Sequence, residues 1–271
     1  MFDAEKGIFV EHSVTQQGMD MPKSHAHPFH ELYILLSGER RYLIGHRIYD
    51  VAPDDVVIIP KTELHRTANL NKPGYERYVV YFYESQLQEF IGMIGEEAFA
   101  SLLKSGCLRL PTEQVCRIRS TLEEMEREQG QNMPYAAAAI KTMLQDILLR
   151  ILRHGGRKEH AAGESANKIE AVAQYISENY GTEITLEQAA QLACMEKTYF
   201  SKCFKRYTGF GFREYLMQTR LRAAEKLLQY SGIPVGEVSA CCGFSGSNYF
   251  GDVFRKYKGV SPTEYRKQLG L

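Results

Sequence analysis

Two stretches of this 271-residue chain place chemically competent side chains at regular spacing. His25 and His27 stand two residues apart, so an extended strand would turn both imidazoles to one face. Imidazoles so paired suit either metal ligation or the polar wall of a small-molecule pocket. The second stretch is one pattern written twice, about fifty residues apart. Tyr199-Phe200, Phe204-Lys205-Arg206-Tyr207, Gly209 and Glu214-Tyr215 return as Tyr249-Phe250, Phe254-Arg255-Lys256-Tyr257, Gly259 and Glu264-Tyr265. A repeat of this length means one supersecondary unit used twice.

Each copy resolves into two short helices and a tight turn. Thr185 and Gln188 form a capping box ahead of a helix over 186–193, followed by a turn at 194–196 and a second helix over 197–207. Phe200, Phe204 and Tyr207 recur at i, i+4 and i+7 and are expected to face the core. In the second copy the helices span 235–242 and 247–257, the turn is Gly243-Phe244-Ser245-Gly246, and Phe250, Phe254 and Tyr257 repeat the buried face. Two helices joined by a short turn, with small polar and basic residues outside, describe a helix-turn-helix that presents its second helix to a major groove. Thr198, Ser201, Lys202, Ser247, Asn248 and Asp252 are placed to meet base edges. Lys197, Lys205, Arg255 and Lys256 suit phosphates, which position without specifying. Between the copies an apolar stripe predicts a helix over 212–229, roughly 27 Å long, against a groove repeat of ~34–36 Å. Ser261, Pro262 and Glu264 start a closing helix.

The elements ahead of this region have a different period. Residues 1–110 are read as strands: an apolar run over 31–38, a hairpin over 41–51 turning near Gly45, and further strands over 54–60 and 75–83. Short strands at such spacing predict a barrel or jelly roll. From Thr112 the period becomes helical. Val115, Ile118, Leu122 and Met125 form an a/d seam, and Ile140, Leu144, Ile147 and Ile151 continue on a second helix. These helices either pack on the barrel or pair with a second copy, and dimerisation is the expectation. Residues 155–166 are Gly-rich and charged and predict a flexible linker. The fold class is therefore α+β and multi-domain, divided as 1–110, a helical segment 111–154, the linker 155–166 and an all-α domain 167–271.

Bulk numbers narrow the function. A 44% hydrophobic content supports real cores, and no apolar run reaches the eighteen residues of a membrane span. The start Met1–Lys6 lacks the features of a signal peptide, so a cytoplasmic protein is expected. Six Cys without a CxxC argue against a disulfide or zinc framework, and the vicinal Cys241-Cys242 is read as apolar filler. Residues 167–271 hold 14 basic against 10 acidic residues, leaving 19 against 23 in the remainder, a modest positive bias where phosphates would be met.

Residues 167–271 resemble the DNA-binding domain of AraC/XylS-type transcriptional regulators. The motif that carries the resemblance is Gly243-Phe244, Tyr249-Phe250, Phe254-Arg255-Lys256, Gly259, Pro262 and Tyr265-Arg266. Two positions depart from it: Asp252 stands where many members have Arg or Lys, and Ser239 where Ala is usual. The N-terminal part resembles the cupins. His25-x-His27-x-x-x-Glu31 with Gly38 follows their first motif, and Pro53, Pro60 and His65 their second, with Asp54-Asp55 replacing its glycine. The resemblance implies a jelly roll with a ligand cavity, set before the DNA-binding domain as a sensor.

On that alignment Glu31 and His65 join His25 and His27 as three imidazoles and one carboxylate, a set for Zn, Fe, Mn or Ni. The other reading, which we take as the expectation, is an organic-ligand pocket with no obligatory metal. Tyr33, Arg40, Tyr42 and Arg77 are its further candidate walls, since aromatic rings stack on sugar faces and Arg fixes hydroxyls or a carboxylate. His30 is read as a surface residue or a pocket wall. The sequence thus predicts a non-enzymatic regulator that binds double-stranded promoter DNA as a homodimer and answers to a small molecule, a sugar or sugar acid. The alternative is a metal-dependent cupin enzyme or sensor with an appended DNA-binding domain.

Overall fold

The computed structural model describes residues 7–17, 21, 25–71, 74–104, 106–131, 133–158 and 163–268. The reading of Met1–Lys6 and the centre of the predicted linker, 159–162, lie outside the described residues. The chain divides into two compact units between Gly163 and Glu164.

The first unit is built on two sheets. Strands β1 (Phe9–Thr15), β2 (His30–Gly38), β3 (Arg40–Ile44), β4 (Arg47–Val51), β5 (Asp55–Ile59), β6 (His65–Asn69), β7 (Tyr75–Phe82), β8 (Gly106–Arg109) and β9 (Gly156–Arg157) pair as β1-β7-β2-β5-β8-β9 and as β4-β3-β6. The predicted hairpin is present: Ile44 pairs with Arg47, and Gly45 takes φ +60° at the first position of a two-residue turn. Gly38, at φ +89°, turns β2 into β3 where a Cβ would come within 2.3 Å of the Gly74 carbonyl oxygen.

Strands β2, β5 and β7 read as near-continuous apolar runs because both faces of the larger sheet are covered. Leu32, Ile34, Val56, Ile58, Val80 and Phe82 pack on helices, while Tyr33, Leu35, Val57, Ile59 and Val79 pack on Tyr42, Ile44, Tyr49 and Val51 of the smaller sheet. The helices are α1 (Gln88–Ile94), α2 (Glu96–Leu102), α3 (Thr112–Gln131) and α4 (Ala136–His154). Two expectations change here. Residues 84–102 are helical rather than stranded, opening with a 3-10 turn at Glu84–Leu87. The α3 seam of Val115, Ile118, Leu122 and Met125 is buried against α4 and the sheet of its own unit, so a dimer has to use other faces.

The second unit is all α: α5 (Glu164–Asn179), α6 (Leu186–Leu192), α7 (Lys197–Thr208), α8 (Phe212–Tyr230), α9 (Val235–Cys241), α10 (Ser247–Lys258) and α11 (Pro262–Gln268). Helix α5 begins inside the predicted linker, and β9 occupies its start, so the segment between elements is shorter than 155–166. Both capping boxes form, Thr185 with Gln188 and Ser261 with Glu264. Among the described residues no helix is long and apolar enough to cross a membrane.

Candidate functional site

Between the two sheets of the first unit, four of the sequence-selected groups converge. His25 and His27 do not lie on a continuous strand. His25 makes a single antiparallel bridge with His65, each N–H donating to the other's carbonyl at 3.0 Å. This bridge, rather than strand alternation, brings the imidazoles together: ligating atoms of His25, His27 and His65 lie within 4.8 Å of one another. His25 is exposed, His27 half-buried and His65 buried, so the cluster runs from the mouth inward.

The tautomers are set by the partners. A carbonyl only accepts, so the Nδ1–H of His27 donates to Phe29 O at 2.8 Å and that of His65 to Glu63 O at 2.9 Å. Both rings therefore present Nε2 to the same carboxylate oxygen: Glu31 Oε2 lies 3.2 Å from His27 Nε2 and 3.7 Å from His65 Nε2. Burial opposes the Glu31 charge, but the His27 hydrogen bond and the fields of His65, His27 and Arg77 outweigh it and hold its pKa below the usual carboxylate value. Partial burial of its ring, with His65 and His27 nearby, lowers His25 to about 4, and fuller burial lowers His65 as well. Ring nitrogens facing an ionised carboxylate need a cation between them, either a proton or a metal.

Deeper in, Tyr33 Oη, Tyr42 Oη, Arg77 Nε and His65 Nε2 are buried and have no hydrogen-bond partner. The Arg77 guanidinium stands 5.7 Å from the Tyr33 ring centre and 5.5 Å from that of Tyr75, and reaches Glu11 at 3.3 Å. Burial raises the Tyr33 and Tyr42 hydroxyls well above their ordinary range, so both stay protonated and can donate. Arg40 departs from expectation. Its Nε donates to Thr67 Oγ1 at 3.1 Å, its Nη1 to Asn69 Oδ1, and its guanidinium lies 4.5 Å from the Tyr75 ring centre. It ties β3 to β6. His30 is neither a surface residue nor a pocket wall: it is buried on the helix side against Phe82 and Phe99, with Nδ1 accepting from Lys61 N–H.

Sequence reasoning missed Glu11, Tyr75 and Tyr81. The period of two from Arg77 would have put both tyrosines on its face, whereas Glu11 needs the register Glu11↔Val79↔Tyr33. At the position where the cupin motif has glycine, Asp54 adopts φ +69°, a left-handed conformation that Asp tolerates better than most residues.

In the second unit the outer faces of α7 and α10 carry Lys197, Thr198, Lys202 and Lys205, and Ser247, Asn248, Asp252, Arg255 and Lys256, all exposed, with Ser201 half-buried. Lys197 is already paired with Glu187, and Glu196 caps α7 by accepting from Tyr199 N–H at 2.9 Å. Tyr199 and Tyr249, half exposed at the start of the two helices, add aromatic surface that the core-first reading passed over. Tyr257, expected in the core, is exposed. Beneath these helices Phe200, Phe204, Phe250 and Phe254 are fully buried, so the polar faces stand on rigid supports. The turns match as well. Met195 N–H reaches Ala190 O and Phe244 N–H reaches Ser239 O, with Cys194 at φ +49° and Gly243 at φ +73° in the left-handed position between. At Gly243 a Cβ would meet the carbonyl oxygens of Tyr180 and Gly181 at 2.7 and 2.9 Å.

Comparison with known proteins agrees with both units. Residues 9–148 match the AraC-like ligand binding domain, and residues 189–268 match a helix-turn-helix domain. The "Uncharacterized HTH-type transcriptional regulator YijO" of Escherichia coli (strain K12) is 30% identical over 246 residues, 89% of this chain and 82% of its own. The HTH-type transcriptional activator RhaR of the same strain is 23% identical over 248 residues, 91% and 88% of the two chains. The crystal structure of the DNA-binding domain of AdpA, the global transcriptional factor, in complex with a target DNA is 28% identical, covering 40% of this chain and 93% of that one with a TM-score of 0.36.

Proposed function

The chain belongs to the AraC family of helix-turn-helix transcription regulators, with an AraC-like ligand-binding domain ahead of the DNA-binding one, and from that premise we propose that a sugar or sugar acid held between its two sheets controls its binding to a specific promoter sequence. The observation that carries the effector half is the set of buried groups without partners. Each buried, unpaired polar group costs about 1–3 kcal/mol, and Tyr33 Oη, Tyr42 Oη and Arg77 Nε share one interior. A polyol or hydroxy acid offers donors and acceptors to all three, while the tyrosine faces stack on its ring. Its relatives are named as transcriptional regulators, which weighs against the enzyme alternative.

For the DNA half, α7 and α10 enter the major groove, Thr198, Ser201, Lys202, Ser247, Asn248 and Asp252 meet base edges, and Lys197, Lys205, Arg255 and Lys256 meet phosphates. Because Lys197 must first leave Glu187, it contributes least of the four. The protein works as a homodimer in the cytoplasm. The test selects operators from a random duplex pool, then measures variants against them. Lys205→Ala should weaken all sequences uniformly, and Asn248→Ala should relax choice at one position by about 1–3 kcal/mol. Unchanged binding in both variants would rule out this docking. Melting of the full chain against a panel of sugars and sugar acids then identifies the effector class.

A second reading is favoured by the imidazole geometry. Both buried-side histidines are fixed through Nδ1 by backbone carbonyls, the outer-shell arrangement that metal ligands use. We propose His25, His27, Glu31 and His65 as the ligands of a divalent cation, which would supply a Lewis-acidic docking point for an effector hydroxyl or carboxylate. A chelator that lowers the melting temperature, with restoration by one added divalent metal, supports this. A chelator without effect leaves the organic pocket alone.

A further inference from the structure

A cleft of about 260 Å³ opens at the turn of the hairpin and is lined by Ile44, Gly45, His46, Arg47, Glu63, Lys104 and Arg157. Its walls come from four separate parts of the first unit: the β3–β4 turn, the β5–β6 loop, the α2–β8 connection and β9. The side chains of Arg47, Lys104 and Arg157 are exposed and make no hydrogen bond or ion pair within the described residues. Three unpaired cations therefore share one concavity with a single carboxylate, that of Glu63.

From this convergence we propose that the cleft is a second small-molecule site, for a phosphate group carried by inorganic phosphate or by a phosphorylated metabolite. Guanidinium forks and an ammonium suit the oxygens of one tetrahedral anion. The cleft has the volume for a small anion and gathers its cations from separate segments, whereas an extended duplex backbone needs a long stripe of charge.

The backbone that carries Arg157 is held in place. Arg157 pairs with Leu108 across the sheet, and the next residue, Lys158, donates to Asp50 O at 2.7 Å and to Asp55 Oδ2 at 2.5 Å. Asp55 is fully buried, and Arg109 also donates to it, at 2.6 and 2.9 Å. Removing one partner from such a buried charged group is strongly destabilising, so the exit strand stays docked. An anion on Arg157 would thus bind where the chain leaves the first unit, seven residues before α5 begins at Glu164.

The experiment titrates the full chain with inorganic phosphate at constant ionic strength, following melting temperature and heat of binding. Saturable stabilisation is expected, and Lys104→Ala/Arg157→Ala should weaken the phosphate Kd at least about tenfold, as loss of charge-assisted hydrogen bonds requires. Arg47→Ala should weaken it independently. Glycerol 3-phosphate should bind where glycerol does not, which separates the phosphate group from its carrier. Chloride reproducing the shift, glycerol matching its phosphate, or the variants responding as the parent does would overturn the proposal. So would variants that lose affinity for non-specific duplex DNA while keeping the phosphate response, since the cations would then serve DNA.

Discussion

The two faces of the six-stranded sheet are made by the same strands and obey opposite rules. On the helix side, Leu32, Ile34, Val56, Ile58, Val80 and Phe82 join one apolar core, with the His30 ring at its edge against Phe82. One residue along each strand, the other face carries Glu31, Tyr33 and Arg77 toward the smaller sheet. The first face is closed by apolar packing, with His30 Nε2 buried at its edge 3.8 Å from Glu84 Oε2. The second has buried hydroxyl, guanidinium and imidazole atoms with nothing to bond. A sheet that buries both faces can thus use one for stability and hold the other open to a ligand, with the helix-side core offsetting the cost of the unsatisfied side.

The largest effect should come from the closed face. Leu32 is fully buried, and Leu32→Ala should destabilise the first unit by about 2–5 kcal/mol, measured by denaturant unfolding, with effector affinity of the folded fraction unchanged. If effector affinity fell in step with stability, the two faces would not be separable. A somewhat smaller effect is pH-dependent. Burial, with Lys61 nearby, lowers His30 to about 4 from 6.5, with Glu84 acting in the opposite sense. Between those values the unfolded chain binds the proton that the native state refuses, so this contribution is complete above 6.5 and is lost as pH falls toward 4. It amounts to about 3 kcal/mol. His25 and His65 act in the same direction from the open face. His30→Asn, which keeps an acceptor for Lys61 N–H, should flatten that part of the profile; an unchanged slope would assign it to the open-face histidines.

How much of this was legible in the sequence depended on repetition and range. Both helix-turn-helix units could be read because the pattern occurs twice and the capping boxes at Thr185 and Ser261 are local. Tyr257 broke the analogy with Tyr207 because the helices after them differ: α8, nineteen residues long, packs on α7, whereas α10 is succeeded by seven-residue α11. Helices α1 and α2 were invisible because seven residues each, split by Gly95 at φ +88°, are too few to set a period. The pocket histidines were found through a motif, but their convergence depends on the His25–His65 bridge, a contact across forty residues that no local pattern encodes. The partners of Arg40 were hidden for the same reason, since Thr67 and Asn69 reach it only through the β3–β6 register.

The smallest effect gives the sharpest test, because two orphan hydroxyls can be set against each other. Ser239 Oγ is buried and without a partner in the core of the second helix-turn-helix. Tyr33 Oη is equally buried and unpaired, but faces Tyr42 and Arg77. Removing either hydroxyl should leave stability unchanged or raise it by about 1 kcal/mol, because an unmade hydrogen bond contributes nothing and its desolvation costs free energy. Only Tyr33→Phe should weaken the effector, by about tenfold, whereas Ser239→Ala should leave effector affinity as it was. Were Tyr33→Phe to stabilise the protein and keep full effector affinity, its hydroxyl would be a packing defect like that of Ser239, and the open face would lose its strongest claim to a ligand.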